Sequence, residues 1–220
     1  MNEQWESEPM PETTVWLVCH AADAAMRAGT FPRAPGADHH ADEDETRALD
    51  ARAIAAIDAW RAQWHARLAP LAGADGQAPL VLTSPAALAR ASARAAGFAA
   101  GRVEALSDAH YGTWQGQRLT DVAREAPEAL AAWTRDPAFR PPGGGQSFDD
   151  VRQRVAAWLD ALADAQRTVV AFTHAPVIRA AILHALGASS ASFRHLEIAP
   201  LSVTALRRSP QGWVWVAALR

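Results

Sequence analysis

The chain has 220 residues, half of them apolar, which is enough for one domain with a sizeable core. A formal charge of -3 offers no electrostatic case for nucleic acid, and the absence of lysine excludes lysine Schiff-base and P-loop chemistry. A single cysteine cannot close an internal disulfide, as expected in a reducing compartment.

Residues 1–14, MNEQWESEPMPETT, are polar and acidic and lack the apolar core of a signal peptide. They read as a flexible start to a cytoplasmic protein. No apolar run approaches the roughly 20 residues that span a bilayer. Residues 15–19, VWLVC, form an apolar run of the kind that makes a buried strand, and it delivers His20 to its tip. A Gly/Pro/Asp/His-rich loop follows, containing His39 and His40 in DHHADEDE. This loop reads as a solvated segment, with metal attraction left open. Residues 47–68 carry Leu49, Ile54, Ile57, Trp60 and Trp64 at helical spacing.

APLVLTSP reads as a second strand closed by Thr83, Ser84 and Pro85, with Pro85 in the first turn of a helix that stops at Gly97. A short strand and turn residues come next. Residues 115–145 then mix short helices and prolines in a stretch expected to act as a small lid. Ser147 caps a helix to about residue 165, with Asp150 as its capping-box partner. TVVAFTH is another apolar strand ending in histidine, His174, and it runs into a helix stopped by Gly187. LSVTAL and GWVWVAAL close the chain as strands. Strands alternating with helices predict a single α/β domain over residues 15–220, with a mostly parallel sheet.

The repetition of WLVCHA and VAFTHA is the informative feature. Each ends a buried strand in His-Ala before helical sequence, and ligands bind beyond the carboxyl ends of strands in open α/β sheets. A lone histidine is ordinarily structural, and His65, His184 and His195 read so. A matched pair at one sheet edge points to a site.

On these motifs the chain resembles the histidine phosphatase superfamily, which includes phosphoglycerate mutases and α-ribazole phosphatases. LVCHA stands where that family has Leu-Val-Arg-His-Gly, and TSPAALARASA matches Ser-Ser-Pro-Leu-x-Arg-Ala-x-x-Thr-Ala. LSDAHYGTWQG, PGGGQSFDDVRQRV and VVAFTHAPVIRAAILHALG match three further motifs in the family's order. The resemblance implies a three-layer α/β/α sandwich of the phosphoglycerate mutase type that hydrolyses a small phosphomonoester. His20 would be the nucleophile, His174 a donor to the transferring oxygens, and Asp108 the proton donor, where the family usually has Glu. No cofactor and no metal are implied.

The chain departs from the family at both phosphate-binding arginines: Cys19 and Leu88 occupy their places. Losing one such donor costs about 2.7–4 kcal/mol in comparable oxyanion sites. Arg27, seven residues beyond His20, is the candidate replacement. Ser84, Trp114 and Arg140 complete the expected substrate-binding set, and Arg135 is a weaker candidate. Arg90 lies about 200° around the helix from Leu88 and is expected to face away. The expected partner is a small phosphorylated metabolite, with no nucleic acid and no membrane. Two other readings stay open. One is a degenerate family member that binds without turnover. The other is a metal held by Cys19, His20, His174 and Asp108.

Overall fold

The computed structural model describes residues 13–33, 48–68, 78–163 and 165–217. DHHADEDE and residues 1–12 lie outside the described residues, so the expectations for them are not addressed.

Strand β1 is Thr14–Cys19. After a single helical turn, α1 (Ala24–Arg27), come α2 (Ala51–Leu68), β2 (Leu80–Thr83), α3 (Ala87–Ala95) and the two-residue β3 (Gly101–Arg102). Two short helices, α4 (Leu119–Glu125) and α5 (Pro127–Trp133), precede α6 (Phe148–Ala161). β4 (Thr168–Thr173), α7 (Ala175–Ala185), β5 (Val203–Ser209) and β6 (Gly212–Val216) complete the order. The six strands form one sheet, β3-β2-β4-β1-β5-β6. β3, β2, β4 and β1 run parallel, and β5 and β6 are added antiparallel.

Strand periodicity builds the layers. Val15, Leu17 and Cys19 of β1 point to one face, where they join Val151, Val155 and Leu159 of α6 and Val177, Ile178 and Ala181 of α7. Val18 points to the other face, with Ala53, Ile57 and Trp60 of α2 and Ala93 of α3. All six residues of β4 are buried, as a central strand covered on both faces requires. Phe172, the largest of the fully buried side chains, sets its ring against Trp60 and Phe98. The molecule is therefore the three-layer sandwich expected.

Local signals account for the helix limits. Ser147 Oγ accepts from the Asp150 N–H while Asp150 reaches back to the Ser147 N–H, a complete capping box. That helix ends at Ala161, short of residue 165. The second helix begins only at Ala51, where Asp50 accepts from the Ala53 N–H. Pro85 stands ahead of the first turn, because Ala86 and not Ser84 is the N-cap of α3.

Candidate active site

The register of the central strands sets the two histidines side by side. Cys19 and Thr173 are paired across β1 and β4, and His20 and His174 are the next residue of each strand. The His20 N–H donates to the Thr173 carbonyl at 2.9 Å, so the pairing persists to the tip. Their rings meet edge to face, with centroids 4.9 Å apart. One phosphoryl group can therefore touch both.

Each ring is held through one of its nitrogens. His20 Nδ1 lies 2.7 Å from the Ala21 carbonyl, which only accepts, so Nδ1 carries the proton and Nε2 keeps its lone pair. The Ala21 N–H in turn donates to Ser92 Oγ, which ties the turn after β1 to α3. His174 Nε2 lies 2.8 Å from Ser84 Oγ, and that hydroxyl accepts from the Ala86 N–H. With Ser84 donating its own proton to Nε2, the His174 proton sits on Nδ1, the ring nitrogen that faces Asp108. This Nδ1 is buried and has no hydrogen-bond partner, and Asp108 Oδ2 stands 3.6 Å away. Burial, then the neighbouring His174, pulls His20 down to about 4. Burial, then the Arg154 charge, pulls His174 down to about 3. Both imidazoles are therefore neutral at physiological pH.

Asp108 lies in the loop after a single 3-10 turn, residues Glu104–Leu106. Its Oδ1 accepts from the Ala109 N–H at 2.8 Å and from the Tyr111 hydroxyl at 3.3 Å. Burial raises its pKa, against the lowering effect of these hydrogen bonds and of nearby His20 and Arg154. A carboxyl that holds its proton to higher pH is suited to give it away in a reaction.

Arg154 on α6 holds the loop that carries Asp108. Its Nη2 donates to the carbonyl of Ser107, one residue before Asp108, at 2.7 Å. Arg179 on α7 donates through Nε to the Leu196 carbonyl at 2.7 Å. Neither arginine is in an ion pair among the described residues. The Cys19 thiol is fully enclosed, and burial pushes it up to about 12, so it stays neutral. Among the described residues no group of three or more His, Cys, Asp or Glu could hold a metal ion.

The residues expected to bind substrate have these surroundings. Ser84 is fully buried, with its hydroxyl against His174 Nε2. Trp114, 3% exposed, packs among Phe31, Trp133 and Phe139; it belongs to the aromatic core beneath the α4–α5 segment. The Arg27 guanidinium pairs with Asp50 and donates to the Ala22 carbonyl at 2.6 Å, an arrangement that joins α1 to the start of α2. Arg140 pairs with Asp150 at 2.5 Å and so braces the capping box of α6. Arg135 Nε donates to Ala131 on its own helix. Arg90 lines a cavity of about 540 Å³ with Thr83, Phe98 and Arg102. His184 bonds Asp160, the structural part expected of it.

Arg154, Arg179 and Tyr111 were not among the expected residues. A signal for Arg154 exists: it stands three residues after Val151 and one before Val155, on the edge of a buried helical stripe. Arg179 interrupts an otherwise apolar helix in the same way.

The segment between the site and α6 is tied down by backbone contacts. Phe31 exchanges hydrogen bonds with Gln117 and Gly116, and the Leu119 N–H donates to Gly29. Gly112, at φ +57°, lets the chain pass against Pro142: a Cβ there would sit 2.0 Å from that carbonyl oxygen. Among the described residues no helix is long and apolar enough to cross a membrane.

Comparison with known proteins gives a consistent result. The family model described as histidine phosphatase superfamily (branch 1) matches residues 15–219. A bifunctional protein of Mycobacterium tuberculosis is 33% identical over 102 residues, 44% of this chain and 28% of that protein. A metal-independent phosphoserine phosphatase of Arabidopsis thaliana is 31% identical over 112 residues, 50% of this chain and 45% of that one. The chain thus matches less than half the length of each of these relatives. The α-ribazole phosphatase of Shigella flexneri shares the fold, with a TM-score of 0.72 at 20% identity over 92% of this chain and 94% of that one.

Proposed function

The chain belongs to the histidine phosphatase superfamily, and from that premise we propose that it hydrolyses a small phosphomonoester through a phosphohistidine on His20. One observation carries the reading. Two neutral imidazoles stand 4.9 Å apart at one sheet edge, one with a free Nε2 lone pair and the other with an uncommitted Nδ1–H beside a carboxyl group of raised pKa.

In the first step His20 Nε2 attacks phosphorus and the bond from phosphorus to the ester oxygen breaks. Asp108 gives its proton to the departing alkoxide. His174 Nδ1–H donates to a transferring oxygen, whose charge grows as the leaving group departs. In the second step Asp108, now ionised, takes a proton from water. The resulting hydroxide displaces His20, and inorganic phosphate leaves. His20 keeps its Nδ1 proton on the Ala21 carbonyl throughout, so Nε2 returns to its starting state. An aspartate reaches one methylene less far than glutamate, which favours an ester oxygen held close to Asp108. The relatives named for phosphoserine and for α-ribazole support a metabolite ester as the substrate class.

A second reading is favoured by the uncharged side chains at positions 19 and 88: a protein that binds a phosphorylated ligand without turning it over. Incubation with p-nitrophenyl phosphate over a range of pH, with His20→Ala as control, separates the two. Release of nitrophenolate that vanishes in His20→Ala establishes turnover. Equal release from both, or none from either, leaves binding as the function.

A further inference from the structure

We propose that Arg179 binds the phosphoryl group from α7, supplying the guanidinium charge that Cys19 lacks; the inference rests on the phosphatase reading above. The phosphoryl oxygens carry up to two negative charges, and neither Cys19 nor Leu88 offers a cation to meet them. Three observations place one at hand.

The first is an imbalance of charge. Arg179 is half-buried, yet its guanidinium has no ion pair among the described residues, whereas Arg27, Arg124 and Arg140 each have one. A cation drawn partly out of water is expected to find an anion. The carboxylates that act on it, Asp108 and Glu197, do so from beyond ion-pair distance, which leaves room for a closer anion.

The second is direction. Arg179 lies one helical turn after Ala175, the first residue of α7, and side chains on a helix lean toward its N-terminus. That end of α7 is where His174 stands, as the N-cap. The Nε–H is held on the Leu196 carbonyl, which fixes the arm and leaves the two terminal nitrogens for a second acceptor. Leu196 begins the segment that folds over the end of β1, where Leu201 donates to the Cys19 carbonyl at 3.0 Å and Cys19 to Ser202 at 3.0 Å.

The third is where the charge is felt. Arg179 acts electrostatically on the Cys19 thiol and the Tyr111 hydroxyl, and its own charge is stabilised by Asp108. Cys19 faces the layer formed by α6 and α7, and Arg179 belongs to that layer. A planar guanidinium with two free nitrogens can grip two phosphate oxygens at once. The start of α7, which has no side-chain cap, adds the positive end of the helix dipole.

The test uses the full chain, its Arg179→Gln and Arg179→Lys variants, and inorganic phosphate as probe in calorimetry. Kinetics with p-nitrophenyl phosphate and a melting curve accompany each. The inference expects phosphate affinity to fall at least tenfold in Arg179→Gln. KM should rise more than kcat falls. Arg179→Lys should lie between, and added methylguanidinium should restore part of the affinity of Arg179→Gln. Phosphate binding by Arg179→Gln within twofold of the parent overturns it. So does an equal loss in Gln and Lys, unrescued by methylguanidinium and accompanied by a lower melting temperature, which marks a structural strut. An active parent with an unaffected Arg179→Gln removes this inference alone. A parent that neither binds phosphate nor hydrolyses the ester removes the phosphatase reading with it.

Discussion

The two walls of the site differ in what holds them. The histidine wall is a property of the backbone. Strand register brings His20 and His174 together, and main-chain or main-chain-anchored groups (the Ala21 carbonyl, and Ser84 fixed by Ala86) set their tautomers. The cationic wall is a property of side chains alone. Cys19 sits in β1 with ordinary pairing and packs as a small apolar group, and Leu88 occupies a regular turn of α3. Exchanging a guanidinium for a thiol there leaves the frame undisturbed. Geometry written into a sheet persists because altering it would disrupt the core, while charge can be supplied by any element that reaches the spot. Changes in the first wall should therefore remove chemistry, and changes in the second should redistribute affinity.

The largest expected effect is at the nucleophile. His20→Ala should abolish turnover while its melting temperature stays near that of the parent; persistence of turnover at the parental rate would show that the paired rings are not the reacting centre. Asp108→Asn comes next. An alkyl phosphate has a poor leaving group and needs the proton, so its kcat should fall by roughly 10²–10⁴. p-Nitrophenyl phosphate, whose leaving anion is stable unaided, should lose far less. Equal losses for both esters would show that Asp108 does not protonate the leaving group.

Ser84→Ala removes the group that fixes the His174 proton on Nδ1. A hydrogen bond of this kind contributes about 0.5–1.5 kcal/mol, so kcat should drop severalfold to about tenfold with KM little changed. A rise in KM alone would return Ser84 to the role of ligand contact.

The acid limb of stability provides the fourth test. His20 and His174 are lowered to about 4 and about 3, from an ordinary 6.5. Above pH 6.5 they are neutral in both folded and unfolded chains and add no pH dependence. Below it the unfolded chain takes up protons that the folded one refuses, so stability should fall as pH drops from 6.5 toward 4. Asp108, with its pKa raised, contributes in the opposite sense above pH 3.8. Urea midpoints measured between pH 7 and 4.5 should show a slope that flattens in His174→Gln; an unchanged slope would show that the ring is not held neutral. The smallest effect belongs to Arg27→Ala. Its exposed pair with Asp50 should contribute little to stability, and phosphate affinity should hold within about twofold of the parent.

What could be read in the sequence follows the same division. Apolar runs ending in His-Ala disclosed both strands and both histidines, because burial of a central strand leaves a continuous hydrophobic signature. Ser147 and Asp150 disclosed the start of α6, because a capping box lies within four residues. Side-chain partnerships across long separations left no such trace. Ser84 meets His174 over 90 residues, and Arg27 finds Asp50 over 23. Trp114 shows a different limit: an aromatic in a motif looks the same in sequence whether it faces a ligand or fills the space between Phe31, Trp133 and Phe139.

Thr13 lies at the end of the sheet opposite the histidines. Its hydroxyl donates to Ala163 and accepts from the Gln166 N–H, and its carbonyl accepts from Arg208, so three elements are clasped where β1 begins. The clasp makes that end a mechanical anchor. A chain immobilised through a tether joined at Thr13 would stand with its reactive edge turned outward, and a pull on the tether would load the clasp along the strand axis before reaching either imidazole. That orientation suits surface-bound assays, in which substrate must approach from the free side.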